Sequence, residues 1–197
     1  MGIPVTHLEG SDGAAIYAKR VGAVLKIQSV IHGDEFVEFI GFLTNMSQNF
    51  SSTWNSENVY GRNDPIGTFQ GTKRTISVAW DVPAASLDDA KSNLEKTALL
   101  SKFLYPAYEG NIIARPPLVK VKYTNLIQNS NTKEGLLGWI DSLQINPLLD
   151  AGPFIDEDKN HYPKVISLSF NLNVLHQHDL GVDVAGKDRT SGAGFPF

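Results

Sequence analysis

The sequence predicts a mainly β fold with one flanking α-helix, and three observations carry that expectation. Several short segments alternate apolar and polar residues at period two, most cleanly Thr75 to Val82 and Ile166 to Val174. Only one segment, from Ser86 to about Pro106, carries the marks of a capped amphipathic helix. Strands and helices do not alternate as they do in a doubly wound sheet. The expected architecture is therefore antiparallel, a β-sandwich or barrel with the helix on its flank and a long inter-strand loop.

Val24 to Ile31 reads as a first strand, with Leu25, Ile27 and Ile31 on one face and Lys26 and Gln28 on the other. His32-Gly33-Asp34-Glu35 is a turn signal. Phe36 to Leu43 is apolar on both faces, with Phe36, Ile40 and Phe42 opposite Val37, Phe39 and Leu43. Such a strand is expected where both sides are covered, by a helix or by another subunit. Residues 44–74 are polar and rich in Asn, Ser, Thr and Gly. A stretch of that length is expected to be a functional loop or a long hairpin arm with a polar tip.

Thr75 to Val82 places Ile76, Val78, Trp80 and Val82 on one face, and Pro83 ends it. Ser86 is the expected N-cap, with Asp88 and Asp89 in the first turn, where the helix dipole favours carboxylates. Leu87, Ala90, Leu94 and Ala98 form the expected apolar stripe, joined by Leu99 and Phe103, and Pro106 stops the helix. Leu118 to Thr124 alternates again. Residues 128–135 read as a loop, Leu137, Trp139, Ile140 and Leu143 as a helical turn or two, and residues 150–163 as another loop. Ile166 to Val174 is the last strand.

The chain has 197 residues, a net charge of −4 and 19% charged residues. One domain with extensions is the expectation: residues 1–23 as an N-terminal extension, 24–175 as the β domain with an insertion at about 128–162, and 176–197 as a Gly-rich tail. A pI near 5.7 opposes general nucleic-acid binding, which needs a basic stripe. The absence of cysteine removes disulfides, thiolate metal sites and cysteine nucleophiles. No apolar run is long enough for a membrane span, and no signal peptide is expected.

Candidate chemistry is sparse. His176 and His178 could hold a metal, with Asp179 and Asp183 nearby, but no third ligand stands at a telling spacing. Asp34, Glu35 and Glu38 cluster at a turn, where carboxylates are ordinarily solvated. Asp156-Glu157-Asp158 lacks the glycine and distal glutamate of a calcium loop. Neither a phosphate-binding loop nor a nucleophile elbow occurs. No catalytic residue, cofactor or metal is expected. Trp80 reads as core, whereas Trp54 stands in a polar run, where an aromatic serves as an interface anchor or packs under the loop. Lys73 and Arg74 mark the junction of that run with its strand.

The segment Val59-Tyr-Gly-Arg-Asn-Asp-Pro-Ile-Gly-Thr-Phe-Gln-Gly-Thr-Lys-Arg-Thr-Ile-Ser-Val-Ala-Trp-Asp-Val-Pro-Ala84, the helix after it, and Pro117-Leu-Val-Lys-Val-Lys-Tyr123 resemble the baseplate hub and tail-tube initiator proteins of contractile-tailed bacteriophages. The resemblance covers about residues 24–175 and lies in the order of elements and the wording of the loop. It implies a structural virion protein, assembled in the host cytoplasm, whose strands join those of five neighbours in a hexameric ring with a continuous inner barrel. The helix would lie outside, and DNA would pass through the lumen without specific binding. The partners implied are further copies and other baseplate and tail-tube proteins. Trp54, Tyr60, Arg62, Asp64 and Lys73 are the expected subunit contacts. The insertion, the tail and the N-terminal extension favour an initiator over the major tube subunit. The enzymatic alternative, a tail-associated β-sandwich hydrolase, would use Asp34, Glu38 and His176.

Overall fold

A computed structural model of the chain describes residues 20, 22–33, 35–40, 42–129, 131–177, 179–187 and 189. Among these residues the elements run in the order β1 (Leu25–Ser29), β2 (Phe36–Phe39), β3 (Phe42–Glu57), β4 (Ile66–Pro83), α1 (Leu87–Lys102), β5 (Ala107–Glu109), β6 (Ile112–Arg115), β7 (Val119–Tyr123), β8 (Leu136–Ile155) and β9 (His161–Val174). Seven of the strands form one sheet in the order β2-β1-β7-β8-β9-β4-β3, and β5-β6 is a separate hairpin. Every pairing in the large sheet is antiparallel.

Connectivity forces this sheet to curl. β2 and β3 are its opposite edges, yet only residues 40 and 41 separate Phe39 from Phe42. Three Cα–Cα steps span at most about 11 Å, whereas seven flat strands are about 29 Å across. The edges must therefore approach each other, and the Phe39 ring on β2 lies 5.6 Å from Trp80 on β4. The sheet wraps its apolar face around a core of Leu25, Ile27, Val37, Phe39, Ile76, Val78, Trp80, Val119, Val121, Ile166, Leu168, Phe170 and Leu172. The apolar run from Phe36 to Leu43 is thus not one strand covered on both sides. It is the end of one edge and the start of the other.

α1 packs on β9, β8 and β2, bridging strands that are not neighbours. Its N-terminus carries the expected capping box: Ser86 Oγ accepts from Asp89 N at 3.1 Å, and Asp89 Oδ2 accepts from Ser86 N at 3.1 Å. The buried face differs from the expected stripe. Ala90, Asn93, Thr97, Leu100 and Phe103 are buried, while Leu94 and Ala98 are exposed. Asn93 and Thr97 tolerate burial because each is bonded: Asn93 Nδ2 donates to Pro83 O, and Thr97 Oγ1 to Asn93 O.

Two further expectations are corrected. Leu137 to Leu143 is not helical but belongs to β8. A bulge between Ile140 and Ser142 puts Ile140 and Leu143 on the same face, three residues apart, and so imitates helical spacing. Residues 150–163 are mostly strand, so β8 and β9 form a long hairpin inside the region expected as an insertion. Of the two readings of residues 44–74, functional loop or long hairpin arm with a polar tip, the structure shows the hairpin arm. Its strands pair from Phe42↔Asp81 to Glu57↔Ile66, and the tip is residues 58–65.

Candidate subunit interface

The sheet section β8-β9-β4-β3 has two unpaired margins among the described residues. β3 is terminal in the sheet. β7 covers β8 only at Leu136, Leu137 and Gly138, so the rest of β8 has no neighbour on that side. Gly138 is the point where β7, β8 and β9 converge. A Cβ there would stand 2.3 Å from the Asn173 carbonyl oxygen, so only glycine fits.

The face of this section that points away from the core is polar and short-chained. Ser77 Oγ donates to Asn171 Oδ1 at 2.6 Å, and Asn171 Nδ2 donates to Ser142 Oγ at 3.2 Å. Thr75 Oγ1 donates to Asn173 Oδ1 at 3.3 Å, and Asn173 Nδ2 donates to Asp141. Ser167 donates to Asp81, and Trp139 Nε1 donates to Asp141 Oδ1 at 2.8 Å. Apart from the Trp139–Asp141 bond, which stays within β8, these cross-strand bonds make a lattice over the three strands β4, β9 and β8. Its charges, Asp81 and Asp141, are negative.

Beyond Thr75, β4 no longer pairs with β9, and the β3–β4 arm continues alone. Its overhang, Ile66 to Arg74, is about 30 Å at strand spacing. On the side continuous with the core lie Phe50, Trp54 and Phe69, which are 47%, 61% and 53% exposed. Trp54 and Phe69 meet edge to face at 5.2 Å. A bulge between Thr53 and Trp54 brings Phe69 to that side. Together these form an exposed apolar strip.

The expected contact residues take different places. Trp54 is on this strip. Tyr60, Arg62 and Asp64 are exposed in the tip, where Arg62 N donates to Val59 O at 3.2 Å. Lys73 is exposed on the polar side, opposite Ser51. Its neighbour Arg74 points the other way and is buried. Phe50 and Phe69, not singled out in the sequence, accompany Trp54. A large apolar residue at every fourth position (Met46, Phe50, Trp54) with Gln48 and Ser52 between them was the available signal.

The other candidates do not converge. Glu38 is on β2 and ion-paired with Lys26 at 3.8 Å. Asp34 and His178 lie outside the described residues, and His176 is half-buried just after β9. No group of three or more His, Asp or Glu suited to a metal occurs among the described residues. Asp156 anchors its own turn through Asn160 and pairs with Lys91 at 3.8 Å. No described helix is long and apolar enough to cross a membrane. No protein-family model matches the chain, and no curated protein matches it significantly.

Proposed function

We propose that this chain is a structural subunit of a contractile phage tail, a tube-initiator or baseplate hub protein that assembles as a hexameric ring. The observation that supports this reading is the pair of open margins on β8-β9-β4-β3. The section has an even number of antiparallel strands, so its outer strands run in opposite directions. β3 of one copy laid beside β8 of the next therefore continues the alternation, and repetition closes a barrel without edges. The polar face, whose lattice charges are acidic, would then line the lumen, where a surface poor in cations holds DNA phosphates weakly; Lys73 stands apart from the lattice, at the base of the arm. The β3–β4 arm would reach a neighbouring copy through Trp54 and the tip residues Tyr60, Arg62 and Asp64, with Lys73 at its base.

Light scattering with negative-stain imaging across a concentration range tests this. Rings of six are expected, and a monomer at every concentration would sink the reading. Replacing residues 58–65 with a two-residue Asn-Gly turn should leave the fold intact and abolish rings. Stack length separates the roles: an initiator stops at one ring or needs a partner, whereas a major tube subunit polymerises alone.

A further inference from the structure

We propose that the outer edge of β3 is a recognition strip read by residues 142–146 on β8 of a second copy of this chain, and that amides and hydroxyls on the polar face set the register of the pair. The proposal rests on the ring reading above and names the side chains that decide which strand may join which.

The two terminal strands of the sheet are opposite in design. β2 has four residues, and its Glu38 is ion-paired with Lys26 of β1. Shortness and charge are ordinary protections of a sheet edge, as is proline. β3 has sixteen residues, and from Phe42 to Ser56 it holds neither a charge nor a proline. An edge of that length without protection is a template for another strand.

The side chains of β3 divide by face. Asn45, Ser47 and Asn49 stand opposite Ala79, Ser77 and Thr75, on the face of the polar lattice. The lattice joins β4, β9 and β8 and stops short of β3. Among the described residues, Asn45, Ser47 and Asn49 have no side-chain partner. Met46, between them on the core side, is half-buried.

β8 repeats this pattern where β7 does not cover it. Ser142, Gln144 and Asn146 stand opposite Asn171, Ser169 and Ser167 on the lattice face, and Leu143 and Ile145 opposite Phe170 and Leu168 on the core side. Residues 142–146 also lack charge and proline. Gln144 is engaged through its carbonyl oxygen, which accepts from Ser169 Oγ at 3.4 Å, and Asn146 has no side-chain partner among the described residues. Ile145 is 40% exposed. Laid antiparallel, the two margins match amide to amide and apolar to apolar. A slip by one residue would turn Leu143 and Ile145 to the polar face, so only every second register is allowed.

The chain has no cysteine, so paired cysteine variants of the full chain read the seam directly. Within one copy β9 and β4 separate β8 from β3, which at strand spacing is about 14 Å and beyond the reach of a disulfide. Asn45→Cys, Ser47→Cys or Asn49→Cys is combined with Gln144→Cys or Asn146→Cys, oxidised under assembling conditions and run without reductant. At least one same-face pair should give a covalent ladder that stops at the hexamer. Met46→Cys with Gln144→Cys, which lie on opposite faces, should give none. Asn49→Lys should raise the half-assembly concentration by at least about tenfold with the monomer Tm unchanged, because lysine on an edge opposes pairing. Rings that form without a cross-link from any same-face pair would overturn the seam and leave the ring reading standing. Covalent dimers from Ser47→Cys alone would mean that β3 pairs with β3 and would overturn β8 as its occupant. A ladder closing at another number would uphold the seam and sink the hexamer. A chain that stays monomeric at every concentration and never cross-links would sink both.

Discussion

The two long hairpins of this sheet leave it at opposite ends and complete their burial in different ways. The β8–β9 hairpin is held by its own chain. Lys91 of α1 stands 3.8 Å from Asp156 at the hairpin tip and 5.3 Å from the Tyr162 ring, and Ala84 N donates to Lys164 O at 2.7 Å. Among the described residues, the β3–β4 hairpin past Thr75 has strand pairing only with itself. A two-stranded ribbon alone in water is marginal, yet this one carries three exposed aromatic rings along one side. The difference teaches that one arm finds its packing partner in its own chain, while the other keeps its aromatic rings exposed.

The largest expected effect is at the root of the internally held arm. Gly138→Ala should destabilise the fold by about 3 kcal/mol or more in chemical denaturation, because the new methyl collides with backbone that cannot move aside. A stable Gly138→Ala protein would show that the convergence of β7, β8 and β9 is loose. Next comes the outward arm. Trp54→Ala combined with Phe69→Ala should change folding stability by under about 0.5 kcal/mol while raising the half-assembly concentration more than about thirtyfold. A large loss of folding stability instead would mean that the strip is packed in cis, and the contrast between the arms would fail.

Ser86→Ala removes the cap that seats α1 and should cost about 1 kcal/mol. Hydrogen exchange should then quicken at the β8–β9 tip and not in the β3–β4 arm; equal quickening would erase the comparison.

The smallest effect is a pH dependence at Asp156. Burial acts to raise its pKa, but hydrogen bonds from the Asn160 side chain and backbone, the Lys91 charge and the backbone of Asp158 outweigh it and hold the carboxyl below its ordinary value. Its contribution is therefore fully present above the unfolded-chain value of about 3.9 and disappears as pH falls through the folded value. Asp156→Asn should lose that acid-side slope, read from thermal melts on either side of pH 4, and wild-type slope in the variant would unseat the tip contact.

The parts of this fold legible in the sequence are those where local period matches burial. The second half of β4, β7 and the second half of β9 alternate without interruption, and the helix declares its own cap. β8 was illegible because one bulged residue, Asp141, shifts the phase of its apolar side. The β3–β4 arm stayed undecided between loop and hairpin because Gln48 and Ser52 occupy apolar-side positions, leaving Met46, Phe50 and Trp54 four apart. The helix face was misassigned because Asn93 and Thr97 are buried with their bonds met, which apolar counting misses. Of the candidate interface, Trp54 stood out as an aromatic in polar surroundings. The open margins did not, since which strand neighbours which is decided by contacts far apart in the chain.

β9 is the last strand in chain order, yet it lies between β4 and β8. During synthesis, the four-strand section cannot exist until residue 174 has left the ribosome. Until then both β4 and β8 lack their shared partner, and a chain cut short has no two-edged unit to offer. On the ring proposed above, competence to join other copies would thereby be timed to the completion of this section, and a growing ring would be shielded from fragments that enter it and block its closure.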